Sequence, residues 1–374
     1  MDLDLVESVV ALAPDVAASL PMGNEEVDMM GGWSHLTPWH RDATNAAGML
    51  RILAMHVDMI NRNATMQAAN VTYGYHANDN AFLNYGDAWF QQRTLNARFE
   101  MNLTHTVEVV RKPAINTMAM LSLLGDTRHT ITWQQQQQPA AALGDDTAAD
   151  PPVQPATPTS APYGAIATTG TTSNDVRTVG VVLWNSNGTQ PCHADCNASV
   201  TLDLSALVPT VAQARIGMRI YRMDLTHGNP SSVFMAQRGG DPKKKPYPTA
   251  AEFEAIRAAS ELPSCDPAAA ALLPRRAGGR GGELQGGGDD ANAKACDGIS
   301  VAMASPAAAD EPSASSTAVT LPLPQPSAAL VHICIAPVSG RPAAVWPAGG
   351  TGANLRYETF LVTQIQPRRL VETC

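Results

Sequence analysis

Two groups of side chains near the start of the chain have the types that act on sugars. The first group is the pair Glu25-Glu26, followed by Gly32 and Trp33. A carboxylate can attack or stabilise the positively charged carbon of a breaking glycosidic bond, and an indole can pack on the face of a sugar ring. An acidic loop in solvent explains the same residues, so this group alone is a weak indication of sugar chemistry.

The second group consists of Asp79, within Asn78-Asp79-Asn80, and Arg93. A carboxylate can accept hydrogen bonds from sugar hydroxyl groups, and a guanidinium can hold the carboxylate of an acidic sugar through two parallel bonds. An Asx-turn beside a structural ion pair would use the same residue types. The residue types of the two groups alone leave both interpretations open.

The elements predicted around these residues would place them at one edge of a sheet. Residues 21–26 are predicted to be a brief extended segment, and Val71–Ala77 a strand, with a helix over residues 42–61 between them. The helix is predicted from apolar residues that recur at three- and four-residue steps. Alternating strands and helices are typical of parallel α/β folds, in which catalytic side chains follow the carboxyl ends of strands. Glu26 and Asp79 occupy such positions.

Further helices and strands are predicted in the first 130 residues. An amphipathic helix is expected over Leu5–Val16, and an extended segment over residues 107–110. Pro113 suits the first turn of a helix that would end near Gly125. On this helix Ile115, Met118 and Leu121 share one face.

The remainder of the chain is predicted to be a second, all-β domain with low-complexity segments. Residues 131–176 are rich in Gln, Pro, Ala and Thr and are expected to be a linker. Residues 177–340 are expected to form a β-sandwich, with a low-complexity insertion over 265–315 and a tail over 341–374. Its predicted strands are 179–184, 199–204, 215–221, 316–321 and 330–335. Thr249 and Glu252 form a capping box that predicts one helix.

Charge and composition exclude several classes of protein. The net charge of −9 argues against a nucleic-acid-binding surface, which needs a basic stripe. No apolar run is long enough to predict a transmembrane helix. The spacing of Cys192-His193 and Cys196 lacks the second ligand pair of a zinc site, so no metal is expected. The six cysteines permit many disulfide pairings, and spacing does not choose among them.

The glycosylation sequons indicate the localisation of the protein. They begin at Asn63, Asn70, Asn102, Asn187 and Asn197. Repeated sequons favour a secreted or lysosomal protein, although the acidic amino terminus does not have the form of a signal peptide.

A series of short motifs occurs in a characteristic order along the chain. They are Asn24–Glu26, Gly32–Ser34, Pro38–Trp39, Asn78–Phe82, Gln92–Leu95, Ala97–Phe99, Arg111–Pro113, Tyr247–Phe253 and Leu330–Cys334. In this order they resemble the α-L-iduronidases of glycoside hydrolase family 39. The likeness is dense over residues 20–125, patchy through the second domain, and lost after about residue 340.

The resemblance implies a retaining hydrolase built on a (β/α)₈ TIM barrel joined to a β-sandwich, with residues 1–130 as the last two β/α units of an incomplete barrel. It implies that Glu26 rather than Glu25 is the nucleophile, and that Gly32 and Trp33 line the sugar site. It further implies that Asp79 and Arg93 hold the uronic acid. The implied substrates are the terminal α-L-iduronosyl groups of dermatan and heparan sulphate, with no cofactor.

The chain departs from the family pattern in one important respect. The family's acid/base glutamate lies in an Asn-Glu-Pro motif on barrel strand four, and that motif does not occur in this sequence. Retaining cleavage needs two carboxyl groups, so a start of the gene that is missing from this sequence is expected, and the chain by itself is expected to be inactive or poorly folded. Two alternatives remain: a family 39 hydrolase of another sugar, such as a xyloside, which would not need Arg93, or a non-catalytic glycan-binding product.

Overall fold

The computed structural model describes residues 2–19, 22–24, 37–64, 68, 73–75, 89–91, 94–101, 106–132, 162–172, 176–186, 198–204, 207, 214–241, 247–267, 296–302 and 318–337. The helices are α1 (Asp2–Leu12), α2 (Pro14–Ser19), α3 (Ala43–Arg62), α4 (Pro113–Leu121), α5 (Pro230–Ala236) and α6 (Ala250–Ser260), with a 3₁₀ turn at Pro38–Arg41. The strands are β1 (Met22–Asn24), β2 (Tyr73–Tyr75), β3 (Asn96–Met101), β4 (Thr106–Arg111), β5 (Thr127–His129), β6 (Tyr163–Thr171), β7 (Arg177–Asn185), β8 (Ala198–Asp203), β9 (Ala214–Met223), β10 (Ser264–Cys265), β11 (Ser300–Ala302), β12 (Ala318–Leu323) and β13 (Ser327–Pro337).

Two antiparallel sheets share the largest apolar cluster. One sheet has the strand order β10-β9-β13-β7-β6-β5, and the other has the order β11-β12-β8. Successive side chains of a strand point to opposite faces, so alternate residues of β7 and β13 enter this cluster. Its buried members include Val179, Val181, Leu183, Val319, Leu321, Leu323, Val331 and Ile333.

The opposite face of the six-stranded sheet is covered by α3 and α4. Val182 and Trp184 of β7 and Leu330 of β13 pack there against Leu50 of α3 and Met120 of α4. The contacting face of α3 also contains small residues, which let a helix approach a sheet closely: Ala43, Ala46, Ala47 and Ala54. The predicted helix over residues 42–61 is therefore confirmed, and it shares a core with the second half of the chain.

A third cluster is largely aromatic and joins the hairpin β3–β4 to the helices α5 and α6. It contains Trp89 and Phe90 from the segment before β3, Phe99 from β3, Phe234 from α5 and Phe253 from α6. The hairpin is antiparallel, with Phe99 opposite Glu108. The parallel α/β rhythm predicted for this region therefore holds for β1 and β2 but not for β3 and β4.

Several sequence predictions are corrected by the structure. The linker predicted over residues 131–176 contains β6, a strand of nine residues that pairs with β7. The low-complexity insertion predicted over 265–315 contains β11, and a disulfide between Cys265 and Cys296 ties the segment together at its base. The single helix predicted over Leu5–Val16 is two helices, because Pro14 begins the second one. Helix α5 was not predicted.

Other predictions are confirmed. The five strands predicted in the second half correspond to β7, β8, β9, β12 and β13. The capping box is present, with the amide of Glu252 donating to Thr249 Oγ1 at 3.3 Å and the amide of Thr249 donating to Glu252 Oε2 at 2.7 Å. Helix α4 buries a different face more deeply than the one noted in the sequence. Thr117 and Met120 are fully buried, whereas the side chains of Ile115, Met118 and Leu121 are half buried.

Candidate functional site

The residues predicted for the sugar site are Glu26, Gly32, Trp33, Asp79 and Arg93, and all five lie outside the described residues. Described residues near them in the sequence belong to the strand pair β1–β2, the segment 89–91 and the 3₁₀ turn. These elements and the junction between β4 and α4 are together called the frame of the candidate site.

Strands β1 and β2 are parallel neighbours. Their register pairs Met22 with Tyr73 and Asn24 with Tyr75. Parallel strands end at the same edge of a sheet, so the chain leaves both strands at one edge. In the sequence Glu26 comes two residues after Asn24, and Asp79 comes four residues after Tyr75. The two predicted carboxylates therefore follow the carboxyl ends of paired parallel strands, which is where active sites of parallel α/β folds lie.

The carbonyl oxygen of Gln91 joins two parts of this frame. It accepts a hydrogen bond from the backbone N–H of Thr37 at 3.1 Å and a second from Nδ1 of His40 at 3.1 Å. His40 is 1% exposed, so this contact is shielded from water. Arg93 stands two residues after Gln91 in the sequence, and Trp33 stands four residues before Thr37. Thr37 and Gln91, which are described residues close to these two candidates in the sequence, are thus hydrogen-bonded to each other.

Lys112 makes a second connection, on both sides of Arg93. Its backbone N–H donates to the carbonyl of Leu95 at 3.0 Å, and its Nζ donates to the carbonyl of Phe90 at 3.4 Å. Lys112 is completely buried, where an ammonium group is costly unless it is hydrogen-bonded. One residue therefore binds the backbone at both Phe90 and Leu95.

The segment before Arg93 is also held by its side chains. The ring of Trp89 stacks on Phe99 with centroids 5.7 Å apart, and the ring of Phe90 meets Phe234 at 5.3 Å. Trp89 has a φ of +23°, which residues other than glycine rarely adopt. Such a backbone conformation persists only where the surrounding packing determines it, and here Trp89 is 4% exposed within the aromatic cluster.

Asp42 fixes the start of α3 directly after the 3₁₀ turn. Its Oδ1 accepts the backbone N–H of Thr44 at 2.9 Å, which is the hydrogen bond of a helix N-cap. Burial raises the pKa of Asp42, and the bond from Thr44 and the charge of Arg41 oppose that effect. This carboxylate therefore has a structural role as the cap of α3, directly after the turn that contains His40.

His40 and Lys112 were not identified as functional residues from the sequence. His40 was not singled out in the sequence, and Lys112 appeared only within the motif Arg111–Pro113. One signal was present for Lys112, because it occupies the N-cap of α4, where Ser, Thr, Asp or Asn are favoured, and makes no side-chain cap. A lysine at such a position indicates that its side chain is used elsewhere.

Within the residues that the structure describes, no group of three or more His, Cys, Asp or Glu side chains could hold a metal ion. Over the same residues, no helix combines the length and the apolar character needed to cross a membrane.

Comparison with known proteins shows which family the chain belongs to. The model of the family described as glycosyl hydrolases family 39 matches residues 1–280. The chain is 30% identical over 281 residues to α-L-iduronidase of Mus musculus, covering 75% of this chain and 39% of that protein. It is 32% identical over 271 residues to α-L-iduronidase of Homo sapiens, covering 70% of this chain and 36% of that protein.

The chain thus spans between a third and two fifths of the length of these relatives. Among solved structures, it is similar to a monomeric β-xylosidase from Caulobacter crescentus CB15, with a TM-score of 0.41 and 12% identity. That likeness covers 90% of this chain and 49% of the xylosidase.

Proposed function

The chain belongs to glycosyl hydrolase family 39, and on that premise we propose that it carries the nucleophile half of a retaining glycosidase site. Glu26 is the proposed nucleophile, and the proposed substrate is a terminal α-L-iduronosyl group of a glycosaminoglycan such as dermatan or heparan sulphate. The substrate is proposed from the identity of 30–32% to two α-L-iduronidases. The proposed architecture is part of a TIM barrel followed by a β-sandwich, in a lysosomal or secreted glycoprotein.

The observation that carries this proposal is the parallel pairing of β1 with β2. It supports a barrel-like edge at which Glu26 and Asp79 follow neighbouring strand ends. The hydrogen bonds at Gln91 add support, because they join Thr37, four residues after Trp33, to Gln91, two residues before Arg93.

The proposed chemistry proceeds in two displacements. The carboxylate of Glu26 attacks the anomeric carbon, a glycosyl ester forms, and the bond to the leaving oxygen breaks as that oxygen is protonated. Water then hydrolyses the ester and releases the sugar. The proton donor is a second carboxyl group about 5–5.5 Å from the nucleophile in retaining enzymes, and donation of this kind is worth about 10²–10⁴-fold.

The uronic acid itself is proposed to be recognised by Arg93 and Asp79. A guanidinium matches a carboxylate through two parallel hydrogen bonds, and the Asp79 carboxylate accepts from ring hydroxyls. Trp33 and Gly32 are proposed to line the sugar, with the indole against the ring face. A neutral sugar such as a xyloside would leave the guanidinium of Arg93 without its partner, so the proposal favours acidic over neutral glycosides.

The nucleophile is best tested with a substrate that needs no proton donor. Fluoride leaves without protonation, so α-L-iduronosyl fluoride should react with Glu26 even where general acid catalysis is weak. The glycosyl ester should accumulate to the extent that it forms faster than water hydrolyses it. We expect peptide mass spectrometry of the whole chain to find one iduronosyl group on Glu26.

The matched variants are Glu26→Gln and Glu25→Gln. The first should abolish labelling, and the second should leave it unchanged. Labelling of Glu25, or the absence of labelling from a folded chain, would remove the assignment. Labelling by a xylosyl fluoride at the same rate would instead favour a neutral sugar as substrate.

A further inference from the structure

We propose that the connection between α4 and β5, residues 122–126, is an acid-sensitive cover of the six-stranded sheet that opens when His332 binds a proton. The inference is independent of the proposed function, because it uses no residue of the candidate sugar site. It assigns a conformational role to a buried imidazole of β13 that no step of the proposed hydrolysis uses.

The cover lies directly on the sheet. A Cβ atom added at Gly180 of β7 would lie 2.9 Å from Cδ2 of Leu124 and 3.3 Å from the carbonyl oxygen of Leu123. The backbone N–H of Gly125 donates to Oγ1 of Thr168 in β6 at 2.8 Å. The cover is therefore attached to β6 and β7 by close packing and by a hydrogen bond to a side chain.

His332 lies beside the place that the cover occupies. It stands directly opposite Gly180, on the neighbouring strand β13. Side chains of directly opposite residues lie on the same face of a sheet, about 4.5–5.5 Å apart at Cβ. His332 is 6% exposed, so water has little access to its imidazole while the cover is closed. Its Nδ1 lies 3.9 Å from Sγ of Cys334, a disulfide sulfur that carries no charge.

The charged residues in the same row of the sheet are cations. The register places Arg219 of β9 opposite His332, and Arg128 of β5 opposite Thr168, which is itself opposite Gly180. Burial lowers the pKa of His332. An imidazolium at this position would have no carboxylate in its row to balance it, so it would be stabilised mainly by water. Water reaches the ring when the cover lifts.

Two other titratable groups belong to the cover or adjoin it. Asp126 is exposed, and Oγ1 of Thr127 donates to its Oδ1 at 3.2 Å. His129 of β5 has its Nε2 at 2.8 Å from Oγ1 of Thr169, and burial lowers the pKa of His129 as well. Successive residues of a strand point to opposite faces, so Thr169 and the ring of His129 lie on the face away from Thr168 and the cover. His129 is therefore a matched control for His332.

The expected size of the effect follows from proton linkage. A histidine whose pKa is lowered in the closed form and normal in the open form binds its proton in the open form first. Opening therefore becomes easier as the pH falls below the usual histidine pKa of about 6.5. With His332 neutral in the closed form down to pH 5, the opening equilibrium should rise about 25-fold between pH 7 and pH 5.

The test is amide hydrogen exchange of the whole chain at pH 7 and pH 5, with each rate divided by the intrinsic exchange rate at that pH. The protection of residues 122–126 should fall about 25-fold in the wild type. In His332→Gln, whose side chain does not titrate in this range, it should change less than about 3-fold. His129→Gln and Asp126→Asn should retain the full fall. Amides of α6, which belong to a different core, report on unfolding of the whole chain.

A second measurement needs no variant. In the wild type with ¹³C-labelled histidine, the main ring signal of His332 should stay that of a neutral imidazole from pH 7 to pH 5. A signal that titrates with a midpoint near 6.5 would show that the closed form accepts the proton, and would overturn the proposal. An equal fall of protection in His332→Gln and the wild type would overturn it too, as would an equal fall in α6 and the cover.

Discussion

Nδ1 of His227 lies 2.8 Å from Oδ1 and 2.9 Å from Oδ2 of Asp224, so one imidazole nitrogen contacts both oxygens of a buried carboxylate. Thr226 donates to Oδ1 through its amide and its hydroxyl, each at 2.8 Å, and Arg222 Nε donates to Oδ2 at 3.0 Å. Burial alone would raise the pKa of Asp224, but the hydrogen bonds from His227 and Thr226 outweigh it and hold the pKa well below its usual range.

This network predicts a stability that depends on pH. A carboxyl with a depressed pKa in the folded state stabilises the fold above the pKa of the unfolded state, about 4, and this contribution is lost as the pH falls further. Asp224→Asn should lower the free energy of unfolding by about 1.5–3 kcal/mol at pH 7. Urea denaturation should show the gap between wild type and variant narrowing below about pH 4.

An exposed carboxylate provides the control for this measurement. Asp126 lies at the surface, and Asp126→Asn should change the free energy of unfolding by less than about 0.5 kcal/mol. A gap between Asp224→Asn and wild type that is constant from pH 7 to pH 3 would contradict the assigned pKa direction.

Gly125 makes a close backbone approach that predicts a large effect of a single methyl group. A Cβ atom at this position would lie 2.1 Å from the carbonyl oxygen of Thr169 in β6. Gly125→Ala should therefore destabilise the fold by about 1–3 kcal/mol, since the backbone must shift to relieve the overlap. Gly217 in β9 has no atom within 4 Å of the equivalent position, so Gly217→Ala should be within about 0.5 kcal/mol of wild type in the same thermal unfolding experiment.

The same glycine illustrates how far the sequence predicts the fold. Gly125 was expected to end a helix, but α4 ends at Leu121, and the glycine instead allows contact with β6. Strand β6 was missed because its residues are small: a Cβ at Gly164 would lie 2.2 Å from the ring of Trp184. Its burial is provided by large neighbours on β7, and a sequence window over β6 alone does not contain them.

For the candidate site, the sequence predicted the strands that precede the site residues but not the hydrogen bonds in the neighbouring segments. The placement of Glu26 and Asp79 stays a prediction, since both residues lie outside the described residues; the structure shows that the strands before them, β1 and β2, pair in parallel. The connections through His40 and Lys112 were not predictable, because both side chains donate to backbone carbonyls, 51 and 22 residues away. A carbonyl acceptor is present at every residue, so it leaves no pattern of residue types.

The aromatic cluster should contribute far more stability than the ion pairs beside it. Phe99 is completely buried, and its ring centroid lies 5.1–5.9 Å from those of four other aromatic rings. Phe99→Ala should cost about 3–5 kcal/mol. Glu108, opposite Phe99 on β4, pairs with Arg257, but both side chains are more than a third exposed, so Glu108→Gln should cost less than about 1 kcal/mol.

Chemical denaturation of Phe99→Ala and Glu108→Gln compares the contribution of the aromatic cluster with that of the ion pair. If Glu108→Gln were as destabilising as Phe99→Ala, the hairpin would be held by charge. Its stability should then fall when the salt concentration is raised to about 1 M, because interactions between exposed charges are screened at that concentration over a Debye length of about 3 Å. We expect no such dependence.

The disulfide between Cys265 and Cys296 predicts a specific pattern in a double-mutant cycle. It closes a loop with a sequence separation of 31, and loop-closure entropy gives about 4 kcal/mol for a loop of that length as an upper value. Cys265→Ala, Cys296→Ala and the double variant each remove the same cross-link. All three should therefore lose similar free energies of unfolding, so that the double variant falls well short of the sum of the singles. Additive losses would mean that the two side chains stabilise the protein independently, as separately packed thiols would.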